Sequence, residues 1–266
     1  MGGNAEVITK TIMLQGTSSG VGKTIIAMAL CRIFNQDGYK TAPFKSQNMT
    51  SNTAFTKSGD EIAVSQFLQA CAAGTEPSAD MNPILLKPPD FRNDKKTDMF
   101  GVIDAYSRLS AQYDLIVIEG AGSPVELNLN KDDVVNMGIA IRAGAPVLLV
   151  ADIDRGGVFA SLFGTVGLLG KQEKEYIKAV IVNRFRGEIS SFSEGVSIIE
   201  ILTERPVAGV IPYIDFAIPE EDSLYNADSP VYVPGADLES QFDLIADTVR
   251  NSLNMELIYK ILNDGI

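Results

Sequence analysis

The sequence predicts an α/β fold, a mostly parallel sheet with helices on both faces. Six short runs are apolar and continuous rather than alternating, as strands buried on both faces are. Segments with helical spacing separate these runs, so strand and helix alternate along the chain. A glycine-rich stretch joins the first strand to the first helix, which is where open sheets of this kind place a ligand.

The strands are predicted at residues 11–15 (TIMLQ), 41–44 (TAPF), 114–119 (DLIVIE), 146–151 (PVLLVA), 179–183 (AVIVN) and 207–211 (VAGVI). Helices are predicted at 23–36, 61–73, 99–112, 134–142, 158–169 and 193–203. Residues 87–98 (KPPDFRNDKKTD) are polar and charged and read as an exposed loop. Residues 218–237, rich in Pro, Asp, Glu and Gly, read as an irregular connection. A last helix is predicted at about 238–262, with Leu244, Ile245, Val249, Leu253, Leu257 and Ile261 near helical spacing. It is suited to dock on the sheet or to form a homodimer contact, and the sequence does not choose. Residues 1–224 are expected to carry the chemistry, with 225–266 completing the same domain. There is no internal repeat.

A chain of 266 residues, 45% apolar and 21% charged, fits one large domain or two small ones. No apolar run approaches the roughly 18 residues of a membrane span. The N-terminus, MGGNAEVITK, lacks the basic and apolar regions of a secretory signal. Cys31 and Cys71 lie in helix-like segments, which fits a reducing, cytoplasmic setting with no disulfide framework. The chain contains no histidine, which removes His-dependent triads and imidazole acid–base chemistry. Its 34 acidic and 22 basic residues give a net charge of −12. A global field of that sign disfavours nucleic acid as a partner, and no membrane partner is expected. An anionic ligand must therefore be met by a local cluster.

Such a cluster begins at Gly16, in GTSSGVGKT. A glycine-rich turn lets backbone N–H groups close around phosphate oxygens, and the helix N-terminus adds partial positive charge. Thr17, Ser18, Ser19, Gly20, Val21 and Gly22 form the turn. Lys23 is placed to reach the outer phosphates, and the Thr24 hydroxyl to bind Mg²⁺. The strict phosphate-loop pattern has four residues before GK[ST]; this loop has five, Thr17 to Val21, and is a variant.

The acids follow strands. Glu119 closes DLIVIE at the carboxyl edge and is a candidate second metal ligand through oxygen, as Mg²⁺ prefers; the plain alternative is a strand-end acid capping a turn. Asp60 and Glu61 follow Ser58–Gly59 at a predicted helix start, where N-capping and dipole pairing are the ordinary explanation. Asp152 and Asp154, in ADIDRGG, precede Arg155 and Gly156, which brings charge and close backbone approach together, although a structural turn would look the same. Lys45, just past the second strand, is suited to neutralise a transferring phosphoryl group, or else is a solvated surface lysine. Lys87 has weaker support, and an exposed role reads equally well. Asn183 ends a strand, where its amide could read an adenine edge or simply form a turn.

With these residues in place, the chain resembles the synthetase domain of the cobyric acid synthase family. The resembling stretches include MLQGTSSGVGKT, APFKSQNMTSNT, SGDEIAVSQFLQACAAG, AQYDLIVIEGAGSPVELNL, VLLVADIDRGGVFASLFGT, VIVNRFRG and PEEDSL, and they cover most of residues 11–224. The wider group includes dethiobiotin synthetase and cobyrinic acid a,c-diamide synthase. The resemblance implies a P-loop NTPase-like fold and ATP-dependent amidation of four carboxylates (b, d, e and g) of adenosylcobyrinic acid a,c-diamide through acyl phosphates. It implies that Gly20, Gly22, Lys23 and Thr24 hold the triphosphate, that Thr24, Glu119 and Glu61 hold Mg²⁺, and that Lys45 sits beside the γ-phosphate. It sets Asn183 and Pro212 around adenine. Asp152, Asp154 and Arg155 would lie by the corrinoid carboxylates or the ammonia, with Gln47, Asn48, Ser123 and Gly156 also at the substrate.

Family members usually carry a C-terminal glutaminase domain with a Cys–His–Glu triad, whereas this chain stops at Ile266 without a histidine. The expectation is that ammonia comes from a separate or missing glutaminase domain. The segment after Lys87 is shorter than the family's, and the closing helix is more like that of the diamide synthase. Two other classes share the fold group: ligases on other small carboxylates, and partition-type ATPase switches. The switches carry an early loop lysine as KGGxGKT, where this chain has Ser18 and Ser19.

Overall fold

The structure, a computed structural model, describes residues 9–87, 98–127, 133–214 and 237–266. The main sheet is built from β1 (Lys10–Gly16), β2 (Thr41–Phe44), β7 (Leu115–Glu119), β8 (Val147–Asp152), β9 (Ile177–Phe185) and β10 (Val207–Pro212). Their order is β10-β9-β8-β1-β7-β2, and each pair is parallel. The chain runs from β1 to one side of the sheet, through β2 and β7, and then crosses to β8 on the other. The strand order therefore reverses beside β1, which opens a crevice at the carboxyl edge.

Side chains alternate across this sheet with a period of two. Ile12, Leu14, Leu115, Val117, Leu148, Val150, Ala179 and Ile181 face one layer, with α1 (Lys23–Gln36) and most of α2 (Val64–Ala72). Met13, Ile116, Ile118, Leu149, Val180 and Val182 face the other. That second layer contains α3 (Met99–Ser110), α4 (Met137–Ala143), α5 (Val158–Leu168) and α7 (Ser193–Thr203), with the short α6 (Lys171–Tyr176) leading into β9. Both faces are apolar, as the continuous strand runs predicted. No described helix is long and apolar enough to cross a membrane.

Three features differ from the sequence reading. The predicted helix at 61–73 begins later, because Glu61–Ala63 is β5, paired antiparallel with β4 (Thr53–Phe55). Gly59 at φ 88° sits in the turn between them, and Asp60 accepts from Ser58 Oγ at 2.7 Å, so Asp60 and Glu61 cap no helix. A second small sheet pairs β3 (Gln47–Met49) with β6 (Ile84–Leu86), which three-residue strands do not announce in sequence. The predicted loop at 87–98 and connection at 218–237 lie outside the described residues except at their ends.

The predicted closing helix is two helices, α8 (Leu238–Ser252) and α9 (Met255–Asp264). The break has a tertiary cause: Asn254 N–H donates to Ala208 O of β10 at 2.7 Å, and Asn254 Oδ1 caps α9 by accepting from Leu257 N at 3.0 Å. Phe242, Ile245, Ala246 and Val249 bury against the α1 layer, so α8 docks on this chain's own sheet layer. Arg32 reaches Asp243 at 2.8 Å, and Arg250 reaches Asp37 at 2.9 Å, along the rim of that contact.

At the break, backbone meets backbone. A Cβ on Gly209 would stand 2.2 Å from Ser252 O and 3.0 Å from Leu253 Cα. Gly209→Ala is therefore expected to lower the free energy of unfolding by about 1–3 kcal/mol, read as a reduced urea midpoint. An unchanged midpoint would mean that the helix break does not rest on β10.

Candidate active site

The carboxyl ends of the parallel strands bring distant residues to one edge. Glu119 continues the Leu115, Val117 face of β7; Asp152 continues Leu148, Val150 on β8; Asn183 continues Ala179, Ile181 on β9. All three therefore point to the α1 side of the sheet, and Asp152 and Asn183 are register partners.

The glycine-rich turn lies between β1 and α1. Gly20 and Gly22 have φ of 69° and 94°, in the left-handed region that glycine enters without strain. A Cβ on Gly22 would also lie 2.2 Å from Asn183 Nδ2. Asn183 in turn donates to Val21 O at 2.8 Å, so the strand-end amide props the turn from below. Thr17 N–H donates to Val150 O at 2.9 Å, which ties the start of the turn to β8. Ser18 and Ser19 are exposed on its outer rim, while Val21 is buried. Lys23 is buried and donates to two loop carbonyls, Ser18 O at 3.0 Å and Gly122 O at 3.1 Å. Its ammonium thus lies inside the loop with carbonyls that phosphate oxygens could replace.

Glu119 is the meeting point. Its Oε1 accepts from Thr24 Oγ1 at 2.7 Å and from Lys45 Nζ at 3.0 Å. Its Oε2 accepts from Gln69 Nε2 at 2.7 Å and from Gln66 Nε2 at 3.4 Å. The side chains of Lys45 and Glu119 are 7% and 1% exposed, so the solvated-lysine alternative for Lys45 does not hold. The backbone of Lys45 is fixed as well, its N–H on Met81 O at 2.9 Å and its carbonyl receiving Asn82 Nδ2 at 3.0 Å. A carboxylate oxygen and a hydroxyl are the hard donors that Mg²⁺ takes, and a cation, the Lys45 ammonium, already sits on that oxygen. The donor set therefore fits a magnesium ion.

Glu61 has other partners. It accepts from Thr53 Oγ1 at 2.6 Å and pairs with Lys87, whose ammonium, together with the Thr53 hydroxyl, holds its carboxyl below the usual range. Lys87 is thus the cation of an ion pair joining β5 to the end of β6. Asn48 is buried and donates to Gln66 Oε1 at 2.8 Å and Ser65 Oγ at 3.2 Å, which ties its amide to α2. Gln47 is half-buried on β3. Ser123 is buried; its Oγ receives Val125 N–H at 3.4 Å and its carbonyl receives Asn136 Nδ2 at 3.2 Å.

At the far side of the edge, two aspartates meet three arginines. Asp152 Oδ2 pairs with Arg184 at 3.0 Å and Arg155 at 3.5 Å, while its Oδ1 receives Asp154 N–H at 2.8 Å. Asp154 pairs with Arg186 at 2.6 Å, and that guanidinium, whose charge-assisted bond depresses the Asp154 pKa, lies 3.6 Å from the Tyr213 ring centroid. Gly156, at φ 78°, turns the chain into α5, and Pro212 closes β10 beside this group. Arg184 itself is left-handed at φ 62°, which costs a non-glycine residue about 1–2 kcal/mol and breaks the strand alternation. Sequence reasoning missed Arg184 and Arg186; the signal was the RFR that follows a strand-end asparagine, in register with Asp152. It also missed Gln66 and Gln69.

The chain is 48% identical over 237 residues to a cobyric acid synthase of Streptococcus sanguinis, covering 82% of this chain and 48% of that protein. It is 50% identical over 244 residues to a cobyric acid synthase of Dehalococcoides mccartyi, covering 83% and 48%. The chain spans about half the length of the curated relatives it matches. Among solved structures, a ParA family ATPase from Chlorobium tepidum superposes with a TM-score of 0.51 at 14% identity, covering 92% of this chain and 98% of that one, which is a likeness of fold. The fold is that of P-loop NTPases. Residues 10–221, from the first described strand to beyond the last described one, match the AAA-domain family AAA_26, and the chain belongs to that family.

Proposed function

We propose that this chain is the ATP-dependent synthetase part of a corrinoid carboxylate–amide ligase, converting adenosylcobyrinic acid a,c-diamide toward cobyric acid. The observation that carries the reading is the convergence of Thr24, Lys45 and Glu119 beside the Lys23 loop. Identities of 48% and 50% to proteins named cobyric acid synthase support the choice of substrate.

An amide cannot form directly from a carboxylate, because oxide is a poor leaving group. A substrate carboxylate oxygen attacks the γ-phosphorus of ATP, giving an acyl phosphate and ADP. Ammonia then attacks the acyl carbon, inorganic phosphate departs, and the surplus proton passes to solvent. The turn from Thr17 to Gly22 would cradle the phosphates with backbone N–H groups, and Lys23 would exchange its loop carbonyls for phosphate oxygens. Thr24 and Glu119 would hold Mg²⁺, which when bound neutralises charge on the β- and γ-phosphates. Glu61 would join them by exchanging Lys87 for the ion.

Lys45 has a double use in this reading. It balances Glu119 while no other cation is there, and it would turn to the transferring phosphoryl group once the ion takes its place. Asn183 already supports the loop through its NH₂ group; its Oδ1 is the atom suited to accept from the adenine amino group, with Pro212 alongside. Arg155, with Arg184 and Arg186 behind it, would offer positive charge to the substrate's carboxylates, and Asp152 and Asp154 would fix those arginines or meet the ammonia. Gln47, Ser123 and Gly156 would complete the substrate side. Asn48, tied to α2, would stand at the same side.

Lys23→Ala is expected to abolish ATP turnover while leaving the circular-dichroism spectrum unchanged, because its ammonium contacts loop carbonyls rather than the apolar core. Turnover equal to that of the unaltered protein would remove the phosphate-loop assignment.

The nitrogen source gives a second expectation. Releasing ammonia from glutamine ordinarily needs a thiolate and a base to form it. Burial raises the Cys31 thiol far above neutral pH and pushes Cys71 up to about 11, and the chain has no histidine. The chain alone should therefore amidate the corrinoid diamide with ammonium salts and not with glutamine. At fixed total ammonium the rate should climb with pH above neutral, since NH₃ is the reacting form. Efficient use of glutamine by the isolated chain, assayed by amide formation, would contradict this.

A further inference from the structure

We infer that Gln69 is a positioning residue of the cation site, tying the carboxylate of Glu119 to the backbone of Thr24 and so fixing the spacing of the two oxygens that receive the ion. The inference rests on the Mg²⁺–nucleotide reading above and adds to it residues on α2.

The side-chain NH₂ of Gln69 donates in two directions, to Glu119 Oε2 at 2.7 Å and to the Thr24 carbonyl of α1 at 3.3 Å. One planar amide thus bridges strand β7 and helix α1, the two elements that carry the proposed ligands. It binds Glu119 on Oε2, whereas Thr24 Oγ1 and Lys45 hold Oε1. The carboxylate is therefore oriented from its back oxygen, with the other directed to the hydroxyl and the phosphate loop.

The bridge is itself braced. Gln66, one helical turn earlier on the same face, donates to Gln69 Oε1 at 3.5 Å and to Glu119 Oε2 at 3.4 Å. Its own carbonyl is taken by Asn48 Nδ2 at 2.8 Å and Ser65 Oγ at 2.9 Å, which turns its NH₂ toward Glu119. Both glutamines are fully buried. Side chains of this size and polarity are costly in a core unless their hydrogen bonds are met, and leucine or methionine would fill the volume without that demand. What the amides supply beyond volume is direction at Glu119. Partners standing behind a metal-binding carboxylate commonly change metal affinity when removed.

The test separates orientation from packing by measuring Mg²⁺ binding rather than turnover. A fluorescent ADP is bound to the protein without metal, and Mg²⁺ is titrated into the complex. Gln69→Met keeps the length and apolar volume but removes both donors, and is expected to weaken Mg²⁺ about 10–100-fold with metal-free ADP affinity within about twofold of the unaltered protein. Should Gln69→Met fail to fold by thermal melting, Gln69→Asn carries the same test, since it keeps an amide but withdraws it by one methylene. Mg²⁺ affinity within about twofold of the unaltered protein in the folded variant, or an equal loss of metal-free ADP affinity, would overturn the positioning role. Absence of ADP binding by the unaltered protein would overturn the nucleotide reading along with it.

Discussion

The structure of the edge depends on one buried carboxylate. Glu119 stands at the end of β7 and receives hydrogen bonds from the start of α1, from the residue after β2 and from α2. Those elements are far apart in sequence, and the buried Lys45–Glu119 ion pair lies where they meet. Removing one member of such a pair leaves an uncompensated charge in the interior, at a cost of about 3–5 kcal/mol. The same constraint underlies the proposed chemistry. A carboxylate that must have a cation can exchange an ammonium for a metal ion, provided its second oxygen keeps its orientation.

The ends of β8 and β9 hold a second charged group, in which Arg155, Arg184 and Arg186 pair with Asp152 and Asp154 in a chain of net charge −12. The two aspartates hold the arginines in fixed directions, and the Tyr213 ring face supports Arg186. The left-handed backbone at Arg184 is the local strain that lets neighbouring strand residues, Asn183 and Arg184, serve the loop and the aspartate respectively.

Much of this was legible in the sequence. Strands such as LIVIE and VLLVAD are buried on both faces, so their apolar runs are continuous, and the acid closing each marks the carboxyl edge. The loop from Gly16 to Thr24 was legible because its glycines, lysine and threonine each answer one physical need. Other parts were not. Three-residue strands such as β3 and β5 have no period to detect, so Glu61 read as a helix start. The break between α8 and α9 comes from Asn254 bonding to β10, a contact that no local propensity encodes. Gln66 and Gln69 had a faint signal, two amides spaced three apart on the buried face of a helix; only the folded positions of Glu119 and Thr24 explain why they are amides.

The central claim is that Glu119 turns the phosphate loop into a cation-dependent site. Its most direct test is the gain in ADP affinity on adding Mg²⁺, measured for Glu119→Gln and, to keep the interior electrically balanced, for Glu119→Gln combined with Lys45→Met. The account predicts that both proteins still bind ADP without metal and that Mg²⁺ no longer strengthens the binding. A Mg²⁺ gain equal to that of the unaltered protein in either folded variant would contradict it and leave Glu119 a structural acid at the end of its strand.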